Sequence, residues 1–446
     1  MLAEFELLVP KTLPEALAML AEGGPGAQPI AGGTNLIVDL RAGRQCPPLL
    51  VDVSRLSELR AVRRVGDELI VGAGTTIGEL LADPLVTASA APLHQAAAVF
   101  ANPLVRNRAT LGGNLADASP AADTAPALLA LAAVVELAGR AGTRCLPLDE
   151  FFAGPRRTRL APGELLVAVR WSVPPPGSAG GFHKLGLRRA TAIAVLSAAL
   201  MVQCERAADG GPALCYTACI ALGAVAPTPV RARAAEAALA GRPLTPTAIQ
   251  EAARLPGRGD RGSGSPLVGP CRRGRGTIGA DFMQTNAITL TINGRPHRLS
   301  PAPNLTLLHV LRELGYTDVE NGCEKGDCGA CAVLVDGRAV NSCLMLAWQA
   351  DGAQVVTGAG LGAAEHPHPL QAAVADLGAI QCGYFTLGMI VAAKALLDVN
   401  PHPSEPQIRE ALSGNLRRCT GYGQVVLAVQ AAAEAVGAET SRGGAE

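Results

Sequence analysis

The chain has 446 residues, too many for one ordinary hydrophobic core, so two or more domains are expected. It is 49% hydrophobic with 38 basic and 38 acidic residues, which suits a globular protein and gives no global attraction to nucleic acid or acidic membranes. Aromatic residues make up only 3%, too few for base-stacking platforms, so no nucleic-acid partner is expected.

The opening stretch MLAEFELLVPKTLPEALAML lacks a basic region followed by a continuous apolar run, so no signal peptide and a cytoplasmic location are expected. Residues 1–172 alternate helix-like and strand-like segments. LPEALAML reads as a short helix and ELIVGAGTTI as a strand running into a turn. Two loops carry paired glycines. PIAGGTNLIVDL (29–40) holds Gly32 and Gly33, and RNRATLGGNLADASPAADTAPALLAL holds Gly112 and Gly113 ahead of an apolar segment. Such loops offer consecutive backbone N–H groups to a pyrophosphate that side chains would otherwise keep away. Each alone is a common turn. GAGTTIG (72–78) departs from G-x-G-x-x-G and reads as a strand-end turn. TAPALLALAAVVELAG (124–139) is the longest apolar run, but it is too short for a membrane span and is interrupted by Glu136, so it reads as a buried helix.

WSVPPPGSAGG (171–181) is a Pro/Gly break and marks a subdomain boundary. TAIAVLSAALMVQCE and ALCYTACIALGAV read as two strands of a sheet. The stretch 254–282 is rich in Gly and Arg without periodicity and reads as a linker, a solvated one in preference to a phosphate-binding one. After it, MQTNAITLTINGRPHRLS begins like an independent protein, with a strand, an Asn-Gly turn and a second strand. Met283 then marks the junction of a fusion. EHPHP (365–369) reads as a linker between modules in preference to a histidine metal site.

Six of the twelve cysteines, Cys46, Cys145, Cys204, Cys215, Cys219 and Cys271, are scattered over the first 280 residues; Cys215 and Cys219 share one face of a strand and read as core. The other six lie between 323 and 419. Cys323, Cys328 and Cys331 have C-x4-C-x2-C spacing and Cys343 follows after eleven residues, the plant-type 2Fe-2S pattern. Four thiolates must converge on two irons, so one loop wraps the cluster and a neighbouring strand adds the fourth ligand. Zinc is the rival, but its sites commonly pair two short Cys-x2-Cys knuckles.

The order strand, hairpin, cysteine loop and helical tail over 286–438 resembles the small iron–sulfur subunit of the molybdenum hydroxylases, the xanthine dehydrogenase and aerobic carbon monoxide dehydrogenase group. RNRATLGGNLADASPAADTAP and GGFHKLGLRRATAIAVLSAAL, within roughly 3–250, resemble the FAD-binding medium subunit of the same family. The resemblance implies an α+β multidomain chain. It would carry a two-subdomain FAD-binding fold (1–172), an α+β flavoprotein C-terminal domain (178–250), a linker (251–285), a β-grasp plant-type ferredoxin domain (286–360) and a C-terminal four-helix bundle (361–438). It implies FAD cradled by Ala31, Gly32, Gly33, Thr34 and Asn35 and by Thr110, Gly112, Gly113 and Asn114. Asp123 would accept from a ribose hydroxyl and Lys184 would sit near the flavin ring; without the resemblance they read as a helix N-terminal carboxylate and a surface strand residue.

The family carries a second 2Fe-2S cluster in its helical tail, held by a Cys-x2-Cys turn and a Cys-x-Cys turn. Those four positions fall here on Cys382, Phe385, Arg417 and Cys419, so two ligands are replaced and the second cluster is expected to be absent or unstable. A closing helix after GRPLTPTAIQEAA is also displaced by the Gly/Arg stretch. The resemblance implies an electron-transfer component that works with a large molybdopterin-binding catalytic subunit and an external electron acceptor, as a dimer of heterodimers, with Gln381 facing the pterin. The alternatives are a flavin and iron–sulfur reductase acting without molybdenum, and a decayed paralogue that still folds.

Overall fold

The computed structural model describes residues 2–188, 190–205, 211–255 and 287–443. Most of the expected linker, including Cys271 and Met283, lies outside the described residues, as does any element that closes the flavoprotein C-terminal domain. The start of that linker differs from expectation. The helix Pro246–Ala253 runs past residue 250, because Thr245 caps it through Ala248 N–H and Pro246 sits in its first turn.

The N-terminal part is a small parallel sheet in the order Glu6–Leu8, Leu49–Asp52, Ala27–Ile30. The helix Leu13–Gly23 starts at Thr12, whose hydroxyl accepts from Glu15 N–H, and buries Ala16 and Leu20. A second, antiparallel sheet follows in the order Val62–Val65, Glu68–Gly72, Leu165–Ser172, Val134–Gly139, Gly142–Pro147. GAGTTIG forms the turn from the strand ending at Gly72 into the helix Ile77–Ala82, which Thr76 and Glu79 close with a reciprocal capping box.

The apolar run 124–139 is not one helix. It divides into the helix Thr124–Ala130 and the strand Val134–Gly139, with Ala132 at φ 51° between them. The helix is buried throughout and the strand alternates buried with half-buried residues, yet both are so apolar that hydrophobicity alone could not separate them. The paired β-branched residues Val134 and Val135 favour the strand. The break at 171–181 is also narrower than its sequence suggests, since Leu165–Ser172 and Ser178–Gly186 extend into it as strands.

The third sheet pairs Ser178–Gly186, Ala194–Glu205 and Leu214–Gly223 antiparallel. Cys215 is buried there and Cys219 half-buried. The fourth sheet is ordered Arg295–Leu299, Ile288–Ile292, Gln354–Val356, Ala332–Val335, Arg338–Asn341, with the helix Leu307–Glu313 against it. Both hairpins turn through two residues of positive φ, Asn293-Gly294 and Asp336-Gly337. The helices Pro369–Asp376, Thr386–Val399, Glu405–Ala411 and Gly423–Gly443 complete the chain around a core that includes Leu370, Met389, Ile390, Ile408, Val425 and Val429. His368 of the EHPHP loop caps the first of them through Leu370 N–H. No described helix is long and apolar enough to cross a membrane.

Cores cross the boundaries between these units. Ile30, Ile37, Leu40 and Leu50 of the first sheet pack in one cluster with Leu307, Leu308, Leu311, Cys343 and Leu344 of the fourth. Leu104, Ala332, Leu334 and Val391 join three units in another.

Ala132 is exposed and pays the left-handed penalty of a side chain without packing return. Ala132→Gly is expected to stabilise the N-terminal half by about 0.5–1 kcal/mol. Denaturant unfolding of the two proteins checks this, and an unchanged midpoint refutes it.

Candidate functional site

Gly32 and Gly33 lie in a turn, whereas Gly112 and Gly113, expected in a loop, fall in the first turn of a helix; the two segments, about eighty residues apart, lie side by side. Gly32 packs on the backbone just before the second loop so closely that a Cβ there would lie 1.9 Å from the Arg108 carbonyl oxygen. Thr110 caps the helix Leu111–Ala116 by accepting from Gly113 N–H at 3.0 Å. Ala31, Gly32 and Thr110 line a cleft with Ser54, Arg60, Thr76, Asn107 and Arg108. Arg108 is half-buried, its Nε is buried without a partner, and desolvation pushes its guanidinium down to about 10 against the attraction of Asp52. Thr34 and Asn35 follow in the same turn and lead into the helix Leu36–Arg41.

Asn114 accepts from the Thr124 hydroxyl at 2.6 Å, which ties the second loop to the helix start beside Asp123. Asp123 and Lys184 do not point to separate partners. They form a buried ion pair at 2.6 Å, each side chain 7% exposed, and Lys184 also donates to the Val99 carbonyl. Burial raises Asp123 to about 6, partly offset by Lys184, and its Oδ1 is buried without a partner. The N–H groups of Leu111 to Asn114 are already taken by the Thr75, Ala73 and Thr110 oxygens, so the Gly32–Gly33 turn, two arginines and an orphaned buried acceptor are what fit a phosphate-bearing cofactor with hydroxyl donors, as FAD is.

The four cysteines of the 323–343 stretch come together as two pairs. Cys323 is held down to about 5 by the hydrogen bond from Cys328, whose own thiol is raised by donating it. Cys331 is lowered by Cys343 in the same way, and Cys343 is raised. Cys328, Cys331 and Cys343 are buried and Cys323 is half-buried. Backbone N–H groups face these sulfurs: Lys325 N–H lies 3.3 Å from Cys323, and Ala330 N–H serves Cys328. Gly329, at φ 68°, packs so closely that a Cβ there would lie 2.4 Å from the Gly414 carbonyl oxygen. Among the described residues no group of three or more His, Cys, Asp or Glu side chains is placed to hold a single metal ion. Two thiol pairs with N–H donors to sulfur suit a centre of two irons, each taking two thiolates, better than one zinc.

Cys382 and Cys419 also meet. Their sulfurs are 3.2 Å apart, both exposed, and Gln381 beside them is exposed as well. Phe385 stacks edge-on against Tyr384, and its ring edge lies 3.7 Å from a Cβ built on Gly322 of the cysteine loop. Arg417 lies among Leu370, Val374, Met389 and Val425, with Nη2 buried and unpartnered. Neither residue offers a metal ligand.

A seam joins the flavin loop to the cysteine loop. Arg41, at the end of the helix that follows Asn35, donates to the Glu324 carbonyl and pairs with the Glu324 carboxylate at 3.0 Å. Gln349 donates to the Ala31 carbonyl at 3.0 Å and to Asp52 at 3.1 Å, and accepts from Arg108 at 2.7 Å. Arg41, Arg60, Arg108 and Gln349 escaped sequence reasoning because single polar residues outside a motif carry no signal of what they face.

Residues 3–175 match the family described as the FAD binding domain in molybdopterin dehydrogenase, and 182–257 the CO dehydrogenase flavoprotein C-terminal domain. Residues 290–359 match the 2Fe-2S iron-sulfur cluster binding domain, and 357–430 the 2Fe-2S binding domain. The nicotinate dehydrogenase small FeS subunit of Eubacterium barkeri is 46% identical over 153 residues, 34% of this chain and 98% of its own. The carbon monoxide dehydrogenase medium chain of Afipia carboxidovorans is 32% identical over 272 residues, 61% of this chain and 89% of its own. The chain belongs to the molybdenum hydroxylase family. A chain in the crystal structure of carbon monoxide dehydrogenase from Hydrogenophaga pseudoflava superposes with a TM-score of 0.54 at 34% identity, covering 59% of this chain and 91% of that one. This member is an oxidoreductase component that carries in one polypeptide the FAD-binding and 2Fe-2S electron-transfer modules that make up nearly the whole of two separate relatives.

Gly32→Ala forces the two loops apart, and the protein is expected to lose most of its flavin while keeping its iron, at a stability cost of about 1–3 kcal/mol. Flavin absorbance and iron assay of the purified variant check this; retained flavin refutes it. Asp123 has a raised folded pKa, so its contribution is fully present below about pH 4 and is lost as pH rises through about 6. The stability of Asp123→Asn relative to the parent is therefore expected to improve across that window, by on the order of 3 kcal/mol. Denaturant unfolding of both proteins at a series of pH values measures the difference.

Proposed function

We propose that the chain is the electron-transfer arm of a molybdenum hydroxylase complex, taking electrons from a separate molybdopterin-binding subunit through iron–sulfur to FAD and on to an external acceptor. The observation that carries this reading is the seam: Arg41 and Gln349 fasten the pyrophosphate-type loop and the cysteine loop to each other. A carrier needs its two redox sites held at fixed close range, and a chain that only stores cofactors does not. The bound groups would supply one- and two-electron redox chemistry, and the protein places and tunes them.

Residues 1–172 and 178–250 form the flavin module in this reading, joined by the 251–285 linker to a ferredoxin-like module (286–360) and a four-helix bundle (361–438). Ala31 to Asn35 would hold the FAD pyrophosphate, and Thr110, Gly112, Gly113 and Asn114, whose last three N–H groups are bonded within the protein, would form the facing wall of the cradle, with Arg60 and Arg108 supplying positive charge. Asp123 would accept from a ribose hydroxyl through its free Oδ1, and Lys184, which neutralises it, would lie by the flavin ring. Cys323, Cys328, Cys331 and Cys343 would hold one 2Fe-2S cluster. Relatives named for carbon monoxide and for nicotinate match the flavin half at 32% and 33% identity. That near-equality supports placing substrate choice in the partner.

Exposed Leu377, Ile380, Tyr384 and Leu416 surround Cys382 and Cys419 in sequence and supply an apolar face for that partner, with Gln381 among them. A dimer of heterodimers, in the cytoplasm, follows from the resemblance. Phe385 and Arg417 leave the second site two ligands short, so only one cluster forms. That same observation favours a second reading, a flavin and iron–sulfur reductase acting without molybdenum, since entry from a molybdenum subunit is interrupted.

Iron and acid-labile sulfide per chain are expected to show a single 2Fe-2S cluster, with one EPR signal after dithionite reduction. The double variant Phe385→Cys with Arg417→Cys is expected to double the iron and add a second signal. A parent protein with two signals sinks the one-cluster assignment. NAD(P)H oxidation by the chain alone would favour the second reading; co-purification with a large molybdenum-containing subunit supports the first.

A further inference from the structure

The reading above leaves Cys382 and Cys419 without a cluster to hold, yet the fold brings them together across 37 residues of sequence. Each sits in a turn just before a helix, Thr386–Val399 or Gly423–Gly443, with a glycine of positive φ close behind it, Gly383 directly after Cys382 and Gly421 two residues after Cys419. Both thiols are exposed, unlike the buried Cys331 and Cys343 or the buried Cys215 opposite Cys204. Their 3.2 Å separation needs to close by only about 1 Å to reach a covalent S–S bond. The turns that carry them are outside the helical hydrogen-bond ladders, so the closure breaks no regular element.

We propose that Cys382 and Cys419 are a reversible dithiol–disulfide site on the surface of the helical unit, operated by exchange with low-molecular-weight disulfides and thiols. The thiolate of one cysteine attacks the external disulfide RSSR, forms a mixed disulfide and releases RS⁻. The thiolate of the second then attacks the protein sulfur of that bond and releases another RS⁻. The two protons given up by the cysteines leave with the two RSH molecules, so the chain loses two electrons and two protons while RSSR gains them. Closing the bond fixes the two turns that carry Ile380, Tyr384 and Leu416, so the face offered to a partner depends on the redox state. The inference rests on the one-cluster reading, and its test separates the two.

The full chain is purified anaerobically, assayed for iron, and incubated with oxidised glutathione or with dithiothreitol. It is then alkylated with iodoacetamide and mapped by peptide mass spectrometry. The expected result is one 2Fe-2S equivalent of iron, a cross-linked peptide pair containing Cys382 and Cys419 after oxidation, and alkylation of both residues after reduction. Cys382→Ser is expected to abolish the cross-link and leave Cys419 as a mixed disulfide with glutathione. Both thiols remaining alkylatable under oxidised glutathione, with iron still at one cluster, overturns the disulfide and leaves the one-cluster reading standing. Protection of both thiols by a tightly bound soft metal ion also overturns it. Iron for two clusters, with both residues unreactive, overturns the one-cluster reading itself and the proposal with it.

Discussion

Everything in this molecule depends on the seam where the Ala31–Asn35 loop meets the cysteine loop. Its chemistry is modest: one arginine to a backbone carbonyl and a carboxylate, one glutamine with three partners, and Gly33 placed where any Cβ would press within 3.1 Å of the Leu344 carbonyl. These contacts are mostly part-buried, and Asp52 Oδ2 and Arg108 Nε stay without partners among them, each at a cost on the order of 1–3 kcal/mol. The matched contacts nevertheless admit little sliding. Register between the two loops is therefore fixed by hydrogen-bond matching, and the distance between the bound groups with it.

The two cysteine sites show how the same residue type is put to different use by its surroundings. The Cys323–Cys343 loop surrounds its sulfurs with backbone N–H groups and apolar walls, a setting that favours thiolates bound to a metal and shields them from solvent. At Cys382 and Cys419 the walls are gone on one side. Phe385 has filled part of the volume with a ring, and Arg417 has carried an unpartnered guanidinium nitrogen into an apolar pocket. A buried charge without a partner is expensive, so this half of the helical unit is held by its core and not by its polar groups.

Local signals explain what could be read from the sequence. The C-x4-C-x2-C spacing and the Asn-Gly turn are short-range features whose physics is complete within a few residues. The 124–139 run reads as one helix because its seven-residue helix and six-residue strand are each too short and too uniformly apolar to show a period of their own. Asp123 and Lys184 were each placed near a cofactor, but their ion pair crosses 61 residues and two units, and nothing local records it. Gln349 and Arg41 are legible only in three dimensions, since their partners lie about three hundred residues away. The gathering of Cys382 with Cys419 followed from a family pattern; their closeness as bare thiols did not.

The shared core has a consequence for how the chain acquires its structure during synthesis. Ile30, Ile37 and Leu40 leave the ribosome some three hundred residues ahead of apolar partners that include Leu307, Leu311 and Leu344. Domains ordinarily fold in the order they emerge. Here the sheet beside them stays incompletely packed until those later residues are translated, a closure of high contact order and correspondingly slow. For that interval its apolar face is a client for chaperones, and the Gly32–Gly33 turn reaches its final shape only after the cysteine-loop unit has docked.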